Sequence, residues 1–296
     1  WPAMPEPDHH DLFGQPYPSQ EFLDDWLLRT CELVRDYQPE ILYFDWWVQH
    51  EAFKEHMKLF VAYYYNLGAA SGKSTSICYK HDALAFGSGI VEVERGGFAE
   101  IQPFTWQTDT AIARNSWGYT ENLDYKSAKE IIQTLIDVVS KNGNLLLNIG
   151  PKGDGAIPEK DQEILREIGA WLQVNGQAIY DSRAWRQFGE GPTQPASGPF
   201  SDGSAVIYTS QDFRFTAKGG VIYVFLMEPA VNQWLTIQAL ADERENPASR
   251  FHGIIEEVTL LGYDEALEWE QRPQGLRVFM PTVAGDLPLV LKVQLR

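Results

Sequence analysis

The stretch Tyr37-Gln38-Pro39-Glu40-Ile41-Leu42-Tyr43-Phe44-Asp45-Trp46-Trp47 constrains the fold most. Four consecutive apolar residues, Ile41 to Phe44, leave no face for water. Such a run suits a strand buried on both sides, as in a parallel sheet covered by helices. Short runs of the same kind recur at Ser74–Tyr79, Gly89–Glu94 and Asn144–Ile149, and Ala111–Arg114 reads as a further short strand. Helical spacing fills the gaps: residues 20–36, 51–67, 125–140 and 158–174 carry apolar stripes. Ser19 is placed to cap the first helix and Pro158 to sit in the first turn of the last. Residues 1–18 are rich in Pro and His and read as loop. Strand and helix units joined by short links predict a parallel α/β domain over residues 1–185.

After residue 185 the composition changes. Gly, Pro and Ser crowd residues 189–203, which read as a linker or a long loop. Beyond them short strand signals follow at Ser204–Thr209, Phe213–Thr216, Val221–Met227, Leu235–Leu240, Ile254–Leu261, Leu276–Phe279 and Leu289–Leu295. This spacing predicts an antiparallel β-sandwich over residues 186–296.

Asp45 is the foremost candidate for chemistry. In an α/β barrel the carboxyl ends of the strands face the active site, so an acid directly after an apolar strand fits a nucleophile or a base. The plainer reading is a helix cap or a solvated strand end. Glu92, Glu94 and Glu100 are candidates for a second carboxylate, or exposed acids in an acidic chain. Glycoside hydrolysis needs such a pair: one group attacks, or activates water, and the other protonates the leaving oxygen. The aromatic content of 13% includes 10 Trp. Flat amphipathic rings pack cores and also line sugar sites, and both uses are open for Trp46, Trp47, Trp106 and Trp117.

Other chemistries are poorly served. The formal net charge of -17 opposes nucleic-acid binding through a broad basic surface. Two cysteines, Cys31 and Cys78, make neither a disulfide framework nor a four-cysteine metal site. His9 and His10 are adjacent, the other histidines are scattered, and no His-Glu-x-x-His occurs, so no metal is expected. Gly150-Pro151-Lys152-Gly153-Asp154-Gly155 lacks the ending of a phosphate loop and reads as a tight turn. There is no apolar run long enough to span a bilayer and no basic-then-apolar leader.

Several ordered motifs together carry a resemblance. The strand ending at Asp45, the segment Pro103-Phe104-Thr105-Trp106-Gln107-Thr108-Asp109-Thr110, and Ser116-Trp117-Gly118-Tyr119 resemble the retaining alpha-L-fucosidases, a glycoside hydrolase family. So does the long stretch from Leu135 to Pro158, and residues 171–185 extend it. The resemblance implies a (β/α)8-like barrel, of which this chain carries the latter part, followed by an antiparallel β-sandwich. It implies hydrolysis of terminal alpha-linked L-fucose with retention, on a fucosylated oligosaccharide or glycoconjugate, without a cofactor. Asp45 falls on the nucleophile position. Glu94, in Glu94-Arg95-Gly96, matches one branch's acid/base, with Glu92 and Glu100 as alternatives. Trp117 matches an aromatic near the sugar, Trp46, Trp47 and Trp106 are placed to wall the pocket, and Lys80 and Arg95 to bind sugar hydroxyls or to stand as surface cations.

Two departures qualify the resemblance. Trp46 stands where the family often has glycine, which puts a related sugar specificity in play. The front strands of the barrel, with their sugar-binding histidines, are expected from a missing N-terminal segment or a second chain. A module that binds fucosylated glycan without turnover is the alternative of a different class. By analogy with polymer-degrading relatives the setting is expected to be secreted, periplasmic or lysosome-like.

Overall fold

The structure is a computed structural model that describes residues 12–14, 16–242 and 251–296, so His9 and His10 lie outside the described residues. The chain divides into two compact units, Trp1–Val93 and Glu94–Arg296.

In the first unit α1 (Gln20–Tyr37), β1 (Ile41–Phe44), α2 (Lys54–Ser71), β2 (Ser76–Lys80) and β3 (Ile90–Glu92) follow in turn. β1 pairs with β2, and β2 with β3, all in parallel. Ser19 caps α1, its hydroxyl accepting from the Phe22 amide at 3.2 Å, and Gly72 ends α2 at positive φ. Val34, Phe60, Tyr64 and Ile77 form one apolar cluster, and Leu23, Val48, Phe53, Met57, Tyr79 and Ala83 a second. The Phe44 ring meets Phe60 edge-on at 5.4 Å and lies 5.9 Å from Trp26. These contacts fix the end of β1 one residue before Asp45.

In the second unit β4 (Trp106–Ala111) and β5 (Gly143–Asn148) pair in parallel, Trp106 opposite Gly143 and Ala111 opposite Asn148. Helices α3 (Ala128–Ser140) and α4 (Glu159–Asn175) follow these strands. α3 starts with a capping box, Ser127 and Glu130 each bonding the other's backbone amide. The antiparallel strands are β6 (Arg183–Glu190), β7 (Phe213–Lys218), β8 (Val221–Leu226), β9 (Gln233–Ile237), β10 (Ile255–Leu260), β11 (Trp269–Arg272), β12 (Gly275–Met280) and β13 (Leu289–Leu295). They make a five-stranded sheet, ordered β10-β13-β8-β7-β6, and a three-stranded sheet, β11-β12-β9. Gly219 and Gly220, both at positive φ, turn β7 into β8.

β8 is buried along its whole length. Ile222, Val224 and Leu226 face the core shared with Leu235, Ile237, Leu276 and Val278. Val221, Tyr223 and Phe225 belong to the cluster of Ile131, Ile132, Ile136, Ile164 and Ile168 on α3 and α4. Two hydrogen bonds of 2.7 Å tie the layers: the Trp171 indole donates to the Pro288 carbonyl, and the Gln133 amide to that of Met227. This shared core explains why the compact units divide at residues 93 and 94 rather than at the compositional change near 185.

Two strand expectations differ, and two strands, β6 and β11, were not expected. The strand expected at 111–114 lies earlier, at Trp106–Ala111. Its Thr108, Asp109 and Thr110 are buried, so the apolar-run signal is missing. Residues 204–209 form no strand, although Val206 and Tyr208 turn inward and Ile207 outward. β6 and β11 carry no apolar signal because both are short of fully buried positions.

Residues 191–209 are held at their ends by Asp212, which is fully buried. Its carboxylate accepts from the Thr193 amide and hydroxyl, both at 2.8 Å, and from the Thr209 amide and hydroxyl at 2.7 and 2.8 Å. Burial alone pushes this carboxyl up, but the four donors outweigh it and hold it below the usual carboxylate range. Its contribution is therefore complete above the ordinary carboxylate pKa and is lost as pH falls through the lowered folded value. Asp212→Ala is expected to destabilise the second unit by about 2–4 kcal/mol at neutral pH. In urea titrations the gap from the parent should narrow below about pH 4; a gap independent of pH would contradict the role.

Candidate active site

The carboxyl ends of the strands gather polar and aromatic side chains in each unit. In the first, Asp45 follows β1, Lys80 ends β2 and Glu92 ends β3, with Lys80 directly opposite Glu92 in the register. The Asp45 side chain is 64% exposed, whereas that of Lys80 is only 4% exposed. The Lys80 ammonium lies 3.1 Å from Asp45 Oδ1, 5.4 Å from the centre of the Trp46 ring and 5.7 Å from that of Tyr43. Lys80 is thus no surface cation. It is a buried ammonium under aromatic faces, aimed at the solvent-exposed Asp45 carboxylate. His81 packs on Trp46 at 4.6 Å between ring centres.

Backbone strain accompanies this arrangement. Trp47 has φ +82° and His81 φ +50°, both in the left-handed region that bulky side chains avoid. Such conformations persist where the surroundings over-determine them, commonly around functional groups. Trp46 and Trp47 are half-buried. Glu92 is buried, and its charge adds to burial in pushing the Cys78 thiol up to about 11.

In the second unit Glu94 and Arg95 are both buried, in a turn beside the carboxyl half of β4. The Arg95 amide donates to the Asp109 carbonyl at 2.9 Å. The Arg95 guanidinium donates to the carbonyls of Ala113 and Arg114 and lies 4.2 Å from the centre of the Trp117 ring, which is 37% exposed. The Trp117 carbonyl accepts from Asn148, the last residue of β5. A Cβ at position 150 would come within 2.8 Å of the Tyr119 amide nitrogen, so Gly150 lets the 116–119 loop close over this strand end.

Two sequence expectations are corrected. Trp106 walls no pocket: it is fully buried at the first residue of β4, the opposite end from the site. Its indole donates to the Lys141 carbonyl at 3.0 Å and packs against Phe98 and Gly143. Glu100 is exposed at that same end, where Gln102 bonds its carbonyl and, through its amide, that of Lys141. Gly96 lies close against this chain's own backbone, since a Cβ there would lie 1.9 Å from the Gly198 carbonyl oxygen.

Sequence reasoning missed a buried cluster beneath Arg95. Asp202 Oδ2 accepts from Thr110 and Lys126, each at 2.5 Å, and lies 3.7 Å from Arg95 Nη1. Burial pushes Lys126 down, and the Asp202 charge offsets this only in part. No local signal pairs residues 92 positions apart. Among the described residues no cluster of three metal-ligating side chains occurs, and no helix is long and apolar enough to cross a membrane.

Acids at the carboxyl ends of parallel strands, bordered by indoles and buried cations, are the equipment of a barrel-borne carbohydrate site. A family profile described as alpha-L-fucosidase matches residues 3–177, and one described as alpha-L-fucosidase C-terminal domain matches residues 204–294. The chain belongs to the alpha-L-fucosidase family. Plasma alpha-L-fucosidase of Rattus norvegicus is 31% identical over 273 residues, 86% of this chain and 51% of that protein. Tissue alpha-L-fucosidase of Homo sapiens is 34% identical over 180 residues, 60% of this chain and 33% of that one. Thermotoga maritima alpha-fucosidase, solved in complex with fucose, superimposes with a TM-score of 0.69 at 27% identity, covering 93% of this chain and 57% of that chain. The chain spans about half the length of the curated relatives it matches. Its fold class is that of these structures, the parallel strands of a partial barrel followed by an antiparallel β-sandwich.

Proposed function

We propose that this chain supplies the two catalytic carboxylates of a retaining alpha-L-fucosidase acting on terminal fucose of oligosaccharides or glycoconjugates. The observation that carries the reading is Asp45: an acid at a parallel strand's carboxyl end, open to solvent and held by the buried Lys80 ammonium. Membership of the alpha-L-fucosidase family supports the choice of sugar. In the first step an Asp45 oxygen bonds to the anomeric carbon as the bond to the leaving oxygen breaks, and Glu94 gives that oxygen its proton. In the second, Glu94 takes a proton from water, the water oxygen attacks the same carbon, and the bond to Asp45 breaks. Trp46, Trp47 and Trp117 offer apolar faces to the sugar, and Lys80 and Arg95 orient neighbouring groups. The remaining barrel strands come from a further segment or a second chain.

The test is release of nitrophenol from an aryl alpha-L-fucoside by the protein containing this chain. Turnover of the fucoside, in preference to the corresponding galactoside, is the expected result. Preferred turnover of the galactoside would replace fucose by a related sugar, and fucose binding without release would contradict the enzymatic reading.

A further inference from the structure

We propose that residues 198–202 form a clamp that positions the Glu94-Arg95 turn, with Asp202 as the positioning residue. The inference deepens the reading of Glu94 as acid/base and rests on it.

Three alternate clamp residues, Gly198, Phe200 and Asp202, each donate a backbone amide to the turn. The Phe200 amide donates to the Glu94 carbonyl at 2.8 Å, the Asp202 amide to the Arg95 carbonyl at 3.0 Å, and the Gly198 amide to the Gly97 carbonyl at 2.7 Å. From the other side β4 holds the same turn, through the Asp109 carbonyl and the Thr108 hydroxyl. Arg95 sits at φ +46°, a conformation unfavourable for an arginine, which two flanking sets of bonds over-determine. The absence of a side chain at Gly96 lets the two backbones close to this distance.

Asp202 anchors the clamp. Its carboxylate is bound by Thr110 of β4 and by the buried Lys126 ammonium, while its own amide grips the Arg95 carbonyl. Its charge also faces the Arg95 guanidinium, which carries the Trp117 ring. The segment read from sequence as a linker or a long loop thus reaches back to the strand end where Glu94 lies. Asp202 touches no reacting atom in this scheme. It acts by fixing where the Glu94 carboxyl stands, and a displacement of about 1 Å in such a group costs roughly a hundredfold in rate.

The experiment uses leaving-group dependence, which reports proton donation rather than general integrity. Aryl fucosides with a poor leaving group need an acid; a 2,4-dinitrophenyl fucoside does not. In the protein containing this chain, Asp202→Ala is expected to lower kcat/KM on the poor leaving group by roughly 10- to 100-fold. On the dinitrophenyl substrate the fall should stay within about threefold, a loss unrelated to proton transfer. In a Glu94→Ala background the Asp202 change should add nothing further on the poor substrate. Thr110→Val, which removes one bond to Asp202, should show the same split at smaller size, and keeps the question answerable if Asp202→Ala does not fold. Equal losses on both substrates, or no loss on either, while Glu94→Ala keeps its split, would overturn the clamp and leave the acid/base reading standing. Absence of a split in Glu94→Ala itself would overturn the acid/base reading and the clamp with it.

Discussion

Replacing Asp45 by glycine is expected to leave a folded protein whose hydrolysis of aryl alpha-L-fucosides falls by on the order of 10³-fold or more, a barrier increase of about 4 kcal/mol. The side chain is well exposed, so its removal opens no core cavity. The strand that presents it is fixed by Phe44 against Phe60 and Trp26, contacts the substitution does not touch. What disappears is the oxygen that bonds to the anomeric carbon. The loss should appear in kcat and be as large for the dinitrophenyl fucoside as for poor leaving groups, because a proton donor cannot replace a nucleophile. A variant that kept more than about a tenth of parent turnover would retain all but roughly 1.4 kcal/mol of the barrier reduction, and Asp45 would not be the attacking group. Thermal unfolding close to that of the parent is part of the expectation.

Glu94→Ala is expected to produce a second, different pattern. Removal of a positioned acid costs about 10²–10⁴-fold where the leaving oxygen needs a proton. Dinitrophenyl fucoside should still form the glycosyl-enzyme rapidly and then stall, since the same group activates water in the second step. Azide needs no deprotonation to attack, so it should restore turnover and give a fucosyl azide of retained configuration. Glu92 is the competitor. It is buried at the end of β3, opposite Lys80, while Glu94 follows two residues later in a turn locked from both sides. Rescue at Glu92→Ala and none at Glu94→Ala would transfer the role.

Much of the fold was legible because burial on two faces leaves an apolar run that little else explains. β8 is of that kind, whereas β1 and β5 keep the apolar run with Ile41 and Leu146 exposed; α3 announced itself by its stripe of Ile131, Ile132 and Ile136. β4 was hidden because its interior is polar and hydrogen-bonded: Thr108, Asp109 and Thr110 replace the aliphatic side chains of an ordinary buried strand. The candidate site divided similarly. Asp45 could be read from its place after an apolar strand. Trp106 misled because a tryptophan at the start of a strand and one at its end look alike in sequence, yet point to opposite ends of a barrel. Asp202 was invisible, since its partners Thr110 and Lys126 lie 92 and 76 residues away and only folding joins them.

The most direct measurement is the anomeric configuration of the product when Asp45→Gly acts on an aryl alpha-L-fucoside in the presence of azide. With the carboxylate gone, azide should enter from the side Asp45 occupied and yield the beta-L-fucosyl azide. An alpha-configured azide would mean that another group still forms the covalent intermediate, and would contradict the assignment on which the account rests.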